Sequence, residues 1–305
     1  MRDGILLSGQ IAWAEGPDPK SGSPSRRGET SRERAWKWTP LLPEATMKRR
    51  PPIQKNSPSE IARGRFREFE KRPLFLANWV EAVFIHFRVE PGELQLTVPF
   101  DLDLHEGSAF VSLVAFKQEQ LRFARAPSIT RWMGNLAANH AFLNFRTYVK
   151  YGRERAIYFI AEWVPDRLAL WFGPKLYGFP YQLAQLQYHH GSDIGLLQGR
   201  VSGLGAIEYQ ARLPVNPTAA AARPGTLDEF LTERYIALTT RRGISRFFQV
   251  WHEPWPLTPI PIEISDLSLI SFTWPWFRKA EPAGAHYSRG VTGVWIGRPH
   301  AQTAT

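Results

Sequence analysis

Long strand-like segments follow one another in this chain with no helix between them. They cover residues 108–116, 143–151, 155–163, 185–198 and 201–213. Gly191 and Gly199 are expected to break the later ones. Successive parallel strands need long crossover connections, usually helical, so this series predicts antiparallel sheets that close on themselves. The expected fold class is α+β, a mainly antiparallel two-sheet β-barrel with a few flanking helices.

The clearest helix signal begins at Thr226. Thr226 is followed three residues later by Glu229, the pattern of a capping box. The apolar face of this predicted helix consists of Leu227, Phe230, Leu231 and Ile236. Glu233, Arg234 and Tyr235 come at its end, where we expect them to pair the helix to the barrel.

The absence of cysteine narrows the possible chemistry. With no cysteine in 305 residues, disulfides, thiolate nucleophiles and cysteine-ligated zinc or iron–sulfur clusters are excluded. No apolar run reaches the roughly 18 residues that a membrane helix needs. We therefore expect a cytoplasmic protein without a membrane partner.

Positive charge is concentrated in the N-terminal part of the chain. Residues 1–72 hold 16 Lys and Arg against 9 Asp and Glu, whereas residues 73–305 hold 22 against 19. The composition of residues 1–70, rich in Pro, Gly, Ser and Arg, predicts a disordered basic arm rather than a specific nucleic-acid site. Met47 is a possible alternative start of translation. The expected folded domain covers 71–299, and 300–305 form a tail.

Four segments in one order carry a resemblance to a known family. They are NFRTYV (144–149), GPKLYGFPY (173–181), TLDEFLTERY (226–235) and WHEPWPL (251–257). This order resembles the YqjF-like family of uncharacterised, mostly bacterial proteins. The resemblance implies a fold similar to that of acetoacetate decarboxylase.

The resemblance does not extend to the decarboxylase mechanism. Acetoacetate decarboxylase acts through a lysine that forms a Schiff base with a keto acid and follows a Tyr-Pro segment similar to the one here. The two positions after Pro180 are Tyr181 and Gln182, and neither side chain forms an imine. Lys175 is the nearest lysine, either a displaced equivalent or a surface charge. We therefore predict no Schiff-base decarboxylase activity.

Arg146 is the main candidate ligand-binding residue. Arg146, Tyr148 and Lys150 alternate along one predicted strand and therefore point to one side. If that side is the barrel interior, the guanidinium of Arg146 would bind the carboxylate of a ligand or form a structural ion pair with Glu233. If it faces water, these residues are solvated.

Tyr181 and His252 are the candidate proton-transfer groups. His252 lies between aromatic residues of the WHEPWPL segment, where it is either a general acid or base or a hydrogen-bonded core histidine. No histidine spacing predicts a metal site, and we expect no cofactor. The favoured function is the binding of a small anionic or polar metabolite, and the alternative is a non-catalytic interaction module that retains the fold.

Overall fold

The computed structural model describes residues 36–38, 57–125, 139–191 and 195–302. Within these ranges the fold is mainly β with few helices, as predicted. The strands are β1 (Trp36–Trp38), β2 (Phe75–Val89), β3 (Ala109–Phe123), β4 (His140–Tyr151), β5 (Glu154–Val164), β6 (Tyr181–Leu183), β7 (Gln185–His189), β8 (Leu196–Ser202), β9 (Ala206–Arg212), β10 (Ile236–Arg241), β11 (Ile244–Trp251), β12 (Thr258–Pro259), β13 (Ile262–Asp266), β14 (Glu281–Ile296) and β15 (His300–Gln302).

The strands form two sheets. The smaller has the order β1-β13-β9-β8-β7, and the larger has ten strands, of which β2, β3, β4 and β5 are consecutive neighbours. Most pairs are antiparallel, but β5 pairs in parallel with both β6 and β10. The larger sheet is therefore mixed, which the strand series did not predict, because helix-containing segments return the chain parallel to β5.

Strand pairing in the larger sheet returns to its starting point. The path runs from β14 through β2, β3, β4, β5, β10 and β11, and β11 pairs again with β14 at Trp251 and Trp295. We call these seven strands the strand ring. Their two faces line two separate apolar cores, because successive side chains of a strand point in opposite directions.

The first core lies between the two sheets, and the second lines the other face of the ring. Strand β2 shows the division, since Val83 and Ile85 belong to the first core and Ala82 and Phe84 to the second. Every strand of the ring contributes to the second core. The candidate residues Arg146 and Tyr148 lie on this second face.

Gly199 does not break a strand as predicted. It lies inside β8 opposite Tyr209, and a Cβ on Gly199 would stand 2.1 Å from the Tyr209 ring. Close packing of that ring therefore explains the glycine. The breaks in this part of the smaller sheet come between β7 and β8 and at Gly203 to Gly205.

Helices lie between several of the strands along the chain. They are α1 (Pro58–Phe69), α2 (Pro91–Gln95), α3 (Arg167–Leu176), α4 (Leu227–Thr232), α5 (Ser268–Ser271) and a 3₁₀ turn (Pro275–Lys279). Thr226 caps α4 as predicted, its side chain accepting from the Glu229 backbone N–H. The helix ends at Thr232, so Ile236, predicted on its face, belongs to β10 instead. No helix among the described residues is long and apolar enough to cross a membrane.

The predicted arm over residues 1–70 contains structure at its C-terminal end. Helix α1 packs on the domain, where the Ser59 hydroxyl donates to the His252 carbonyl and Trp251 Nε1 donates to the Ser59 carbonyl. The folded part of the described chain therefore includes α1 and begins before residue 71. Residues 1–35 and 39–56 lie outside the described residues. Initiation at Met47 would remove β1, an edge strand paired with β13, and leave α1 in place.

Candidate functional site

A row of polar side chains crosses three neighbouring strands on the second face of the ring. Asn144 on β4 stands opposite Glu162 on β5, and Glu162 stands beside Tyr181 on β6. Arg146 and Tyr148 follow Asn144 at alternate positions of β4, so they share its face. We call Asn144, Arg146, Tyr148, Glu162 and Tyr181 the polar row.

No carboxylate among the described residues forms an ion pair with the buried Arg146. Its Nη2 donates to the Leu231 carbonyl at 3.3 Å, and its guanidinium carbon lies 5.9 Å from the centre of the Phe84 ring. Its Nε has no hydrogen-bond partner in the described part of the chain. Burial lowers the pKa of Arg146, although an arginine remains charged at neutral pH. A buried cation with a free donor is suited to hold an anion.

Glu162 and Asn144 bring two further buried atoms without partners. Neither Glu162 Oε2 nor Asn144 Oδ1 has a hydrogen bond to any residue that the structure describes. Burial raises the pKa of Glu162 well above its usual value, and the charge of Arg146 opposes that rise. A raised pKa favours the protonated form of Glu162, which would donate a hydrogen bond and leave the positive charge of Arg146 uncancelled.

Tyr181 stands at the accessible end of the polar row. It is half-buried and stacks on Phe179 with ring centres 5.1 Å apart. A Cβ on Gly173 would lie 2.2 Å from the Tyr181 ring, so only glycine leaves room for the tyrosine there. Burial raises the pKa of Tyr181, and nearby Glu162 adds to the rise. At neutral pH its hydroxyl is therefore a proton donor.

Tyr148 is held at the opposite end of the row. Its hydroxyl donates to the Leu231 carbonyl at 2.8 Å and is also hydrogen-bonded to Ser112. Burial raises its pKa, while the positive charge of Arg146 lowers it. The structure thus brings Arg146, Tyr148 and Tyr181 onto one face.

Glu233 was predicted to form an ion pair with Arg146, but among the described residues its carboxylate contacts other groups. Glu233 caps the end of α4, where one carboxylate oxygen accepts from the Tyr235 hydroxyl and the other from the Trp255 backbone N–H at 3.0 Å. The neighbouring Arg234 forms the buried ion pair instead, with Nη1 2.7 Å from Asp103 Oδ2.

His252 lies in an aromatic cage. The rings of Trp79, Tyr235 and Trp255 surround it at 4.9 to 6.0 Å. Its Nδ1 is 2.7 Å from the Glu253 carbonyl oxygen, which can only accept, so Nδ1 carries the proton. Burial lowers the pKa of His252, and Glu233 opposes that shift. These contacts match the core-histidine alternative.

The lysines named from the sequence lie at the surface. Lys175 is exposed on α3 with its Nζ 3.6 Å from the centre of the Trp171 ring, and Lys150 is exposed near the end of β4. In the described part of the chain, no group of three or more His, Asp or Glu side chains is arranged to hold a metal ion.

A surface pocket opens elsewhere in the domain. It is lined mainly by charged residues, including Lys71, Arg72 and Arg298, together with Leu74 and Phe123. Its buried carboxylate, Glu70, is already paired with Arg298 and His300. The polar row, unlike this pocket, presents buried atoms without partners.

Sequence reasoning missed Asn144 and Glu162. Asn144 is two positions before Arg146, so the same alternation that selected Arg146 and Tyr148 also selects it. Glu162 is a lone acid in the apolar run of β5, which is an unusual position for a charge. Both signals were present in the sequence.

The chain matches one family of proteins over most of its folded part. The family model DUF2071, described as "Uncharacterized conserved protein", matches residues 76–292. "Uncharacterized protein YqjF" from Bacillus subtilis (strain 168) is 30% identical over 193 residues, covering 62% of this chain and 76% of that protein.

Solved structures with a similar fold are acetoacetate decarboxylase-like. An acetoacetate decarboxylase-like enzyme from Sphingomonas wittichii RW1 has a TM-score of 0.53 and 15% identity, covering 76% of this chain and 94% of that one. The enduracididine biosynthesis enzyme MppR has a TM-score of 0.52 and 11% identity, with coverages of 76% and 88%. At these identities the likeness shows the fold alone, and it confirms the fold that the sequence motifs predicted.

Proposed function

The chain belongs to the DUF2071 family of uncharacterized conserved proteins, and we propose that it binds a small organic acid at Arg146. In this proposal the strand ring is a β-barrel and the polar row is its binding site. The observation that carries the proposal is the set of buried polar atoms without partners on one face, Asn144 Oδ1, Arg146 Nε and Glu162 Oε2. Buried polar groups in native proteins are almost always hydrogen-bonded.

The charges of the polar row favour an anionic ligand. Arg146 supplies a permanent positive charge, and guanidinium groups bind carboxylates through two parallel hydrogen bonds. Because the pKa of Glu162 is raised, this acid can donate a proton to a ligand oxygen. Half-buried Tyr181 marks the side from which a small ligand would enter. These features support a compact carboxylate of a few carbon atoms.

Thermal denaturation in the presence of single organic acids tests this function. The acids are acetate, pyruvate, lactate and acetoacetate, each compared with chloride at equal ionic strength. We expect at least one acid to raise the melting temperature with a saturable dependence on concentration, because a ligand that binds only the native state stabilises it. If every acid behaves as chloride does, the alternative of a non-catalytic interaction module is favoured.

We also expect no Schiff base to form with a keto acid. The positions after Pro180 hold Tyr181 and Gln182, and both Lys175 and Lys150 are exposed to water, whereas the lysine of a Schiff-base enzyme is activated by burial in an apolar pocket or by a neighbouring cation. Borohydride reduction in the presence of acetoacetate should leave the mass of the intact protein unchanged. A covalent adduct mapped to Lys175 or Lys150 would overturn this expectation.

A further inference from the structure

A chain of polar contacts begins at the protein surface beside α4. The carboxylate of Asp228, whose side chain is 49% exposed, lies 3.3 Å from Nε2 of the buried His286. His286 Nδ1 lies 3.3 Å from Nε2 of His86, which is completely buried. Asp228 and both imidazoles thus form a continuous path from solvent into the second face of the ring.

The path continues from His86 to the polar row. His86 Nδ1 is 2.7 Å from Ser112 Oγ, and Ser112 Oγ is 2.5 Å from the Tyr148 hydroxyl. The Tyr148 hydroxyl lies 2.8 Å from the Leu231 carbonyl, to which Arg146 also donates. The path therefore ends directly beside the proposed binding site.

The path has fewer transferable protons than hydrogen-bonding contacts. There are five contacts, counted from Asp228 to the Leu231 carbonyl. A neutral His286, a neutral His86, Ser112 and Tyr148 each supply one transferable proton, and ionised Asp228 supplies none. Four protons cannot fill five hydrogen bonds. One more proton, held on His286 next to Asp228, fills all of them.

The neutral path has an arrangement in which every donor points outward. Tyr148 donates to Ser112, Ser112 to His86 Nδ1, His86 Nε2 to His286 Nδ1, and His286 Nε2 to Asp228. To reach this arrangement, Tyr148 turns its hydroxyl proton from the Leu231 carbonyl, to which it donates in the structure, towards Ser112, so that the contact with Leu231 is then the one without a proton. In this arrangement the Tyr148 oxygen is free to accept a proton from a group beside it.

We propose that Asp228, His286, His86, Ser112 and Tyr148 form a proton relay that connects the surface with the Arg146 site. Through it, the acid bound there exchanges one proton with solvent. The ligand class this requires is a carboxylate with a second ionisable group within reach of the Tyr148 hydroxyl. The ligand part rests on the proposed function, whereas the relay is a property of the protein alone.

Proton transfer along the relay conserves atoms and charge. The ligand group gives its proton to the Tyr148 oxygen, and each member passes its own proton to the next until Asp228 releases one to solvent. Only O–H and N–H bonds form and break, and no electrons are exchanged. The reverse sequence delivers a proton to the ligand and restores the outward arrangement.

The charges around the two histidines favour passage of the proton over its retention at His86. Asp228 and Arg223 lie at the surface end, and Arg146 lies at the inner end. Burial, His286 and Arg146 all lower the pKa of His86, so the extra proton does not stay there. The hydrogen bond from His286 lowers the pKa of Asp228 and keeps it ionised, ready to receive the proton.

Exchange of the Tyr148 hydroxyl proton with solvent tests the relay without any ligand. It is measured from the isotope shift of the Tyr148 Cζ carbon signal in mixtures of light and heavy water. We expect Ser112→Ala to slow this exchange by about tenfold or more, because exchange without the relay requires local opening. Tyr188, a buried tyrosine bonded to the Phe142 carbonyl, is the internal control and should be unaffected.

A matched variant and a second readout separate the relay from a packing effect. Ser288→Ala removes another fully buried serine hydroxyl of the ring and should leave the Tyr148 exchange rate unchanged. Nitrogen-15 spectra of the histidines should show the single proton of a neutral His86 on Nδ1 in part of the molecules and on Nε2 in the rest, because the two arrangements of the relay place it on different nitrogens.

Equal exchange rates in wild type and Ser112→Ala, or a His86 proton that stays on one ring nitrogen, would overturn the relay. Equal slowing by Ser288→Ala would also overturn it. Because none of these measurements contains an organic acid, failure of the relay leaves the binding proposal to its own test, and failure of binding leaves the relay standing.

Discussion

Replacing Arg234 by methionine is expected to lower the free energy of unfolding by about 3–5 kcal/mol, the scale for breaking a buried ion pair. The Arg234 side chain is 1% exposed and Asp103 is 10% exposed, with 2.7 Å between Nη1 and Oδ2. Methionine fills a similar volume but leaves the carboxylate of Asp103 without its close partner. Urea denaturation of the whole chain measures the loss.

Arg155→Met is the matched control for this prediction. Arg155 approaches the same Asp103 carboxylate at 3.9 Å, but its side chain is 60% exposed. An exposed ion pair contributes at most about 1 kcal/mol, so this change should have little effect. Similar losses in both variants would mean that burial of the pair is not what stabilises this end of α4.

Arg146→Met is expected to abolish binding of the organic acid while leaving the protein as stable or more stable. The change removes the hydrogen bond to the Leu231 carbonyl, worth about 0.5–1.5 kcal/mol, and that carbonyl keeps its bond from Tyr148. It also removes the unpaired Nε, whose burial costs about 1–3 kcal/mol. The two effects offset each other.

Denaturation of Arg146→Met with and without the organic acids measures both properties. Arg234→Met provides the comparison, because it removes a buried arginine that has a carboxylate partner. If Arg146→Met instead lost about 3–5 kcal/mol, Arg146 would have to hold a buried protein acid. Acid-dependent stabilisation that survives in Arg146→Met would place the ligand elsewhere.

The local pattern of the sequence predicted which side chains share a face. Alternation along 144–149 put Arg146 and Tyr148 on one side, and both are buried on the second face of the ring. The expectation that Glu233 would pair with Arg146 failed at the end of α4, where Glu233 adopts a non-helical backbone with φ −95° and ψ 84°. The chain turns there, so Arg234 rather than Glu233 enters a buried ion pair.

Contacts between distant strands could not be predicted from periodicity. His86 and His286 are 200 residues apart and meet because β2 and β14 are antiparallel neighbours. Closure of the ring through β11 and β14 likewise depends on pairing between remote segments. Alternation along the sequence predicts which side chains share one face of a strand. The order of the strands in the sheet decides which strands, and therefore which side chains, lie side by side.

The Nε–H signal of Arg146 in nitrogen-15 spectra tests the central claim most directly. Its resonance is assigned by its disappearance in Arg146→Met, and the protein is titrated with acetate, pyruvate, lactate and acetoacetate. The account predicts a saturable downfield shift of this signal with at least one acid, because the free Nε donor gains a carboxylate acceptor. A signal that stays unchanged with all of these acids would contradict the assignment of Arg146 as the anchor of an anionic ligand.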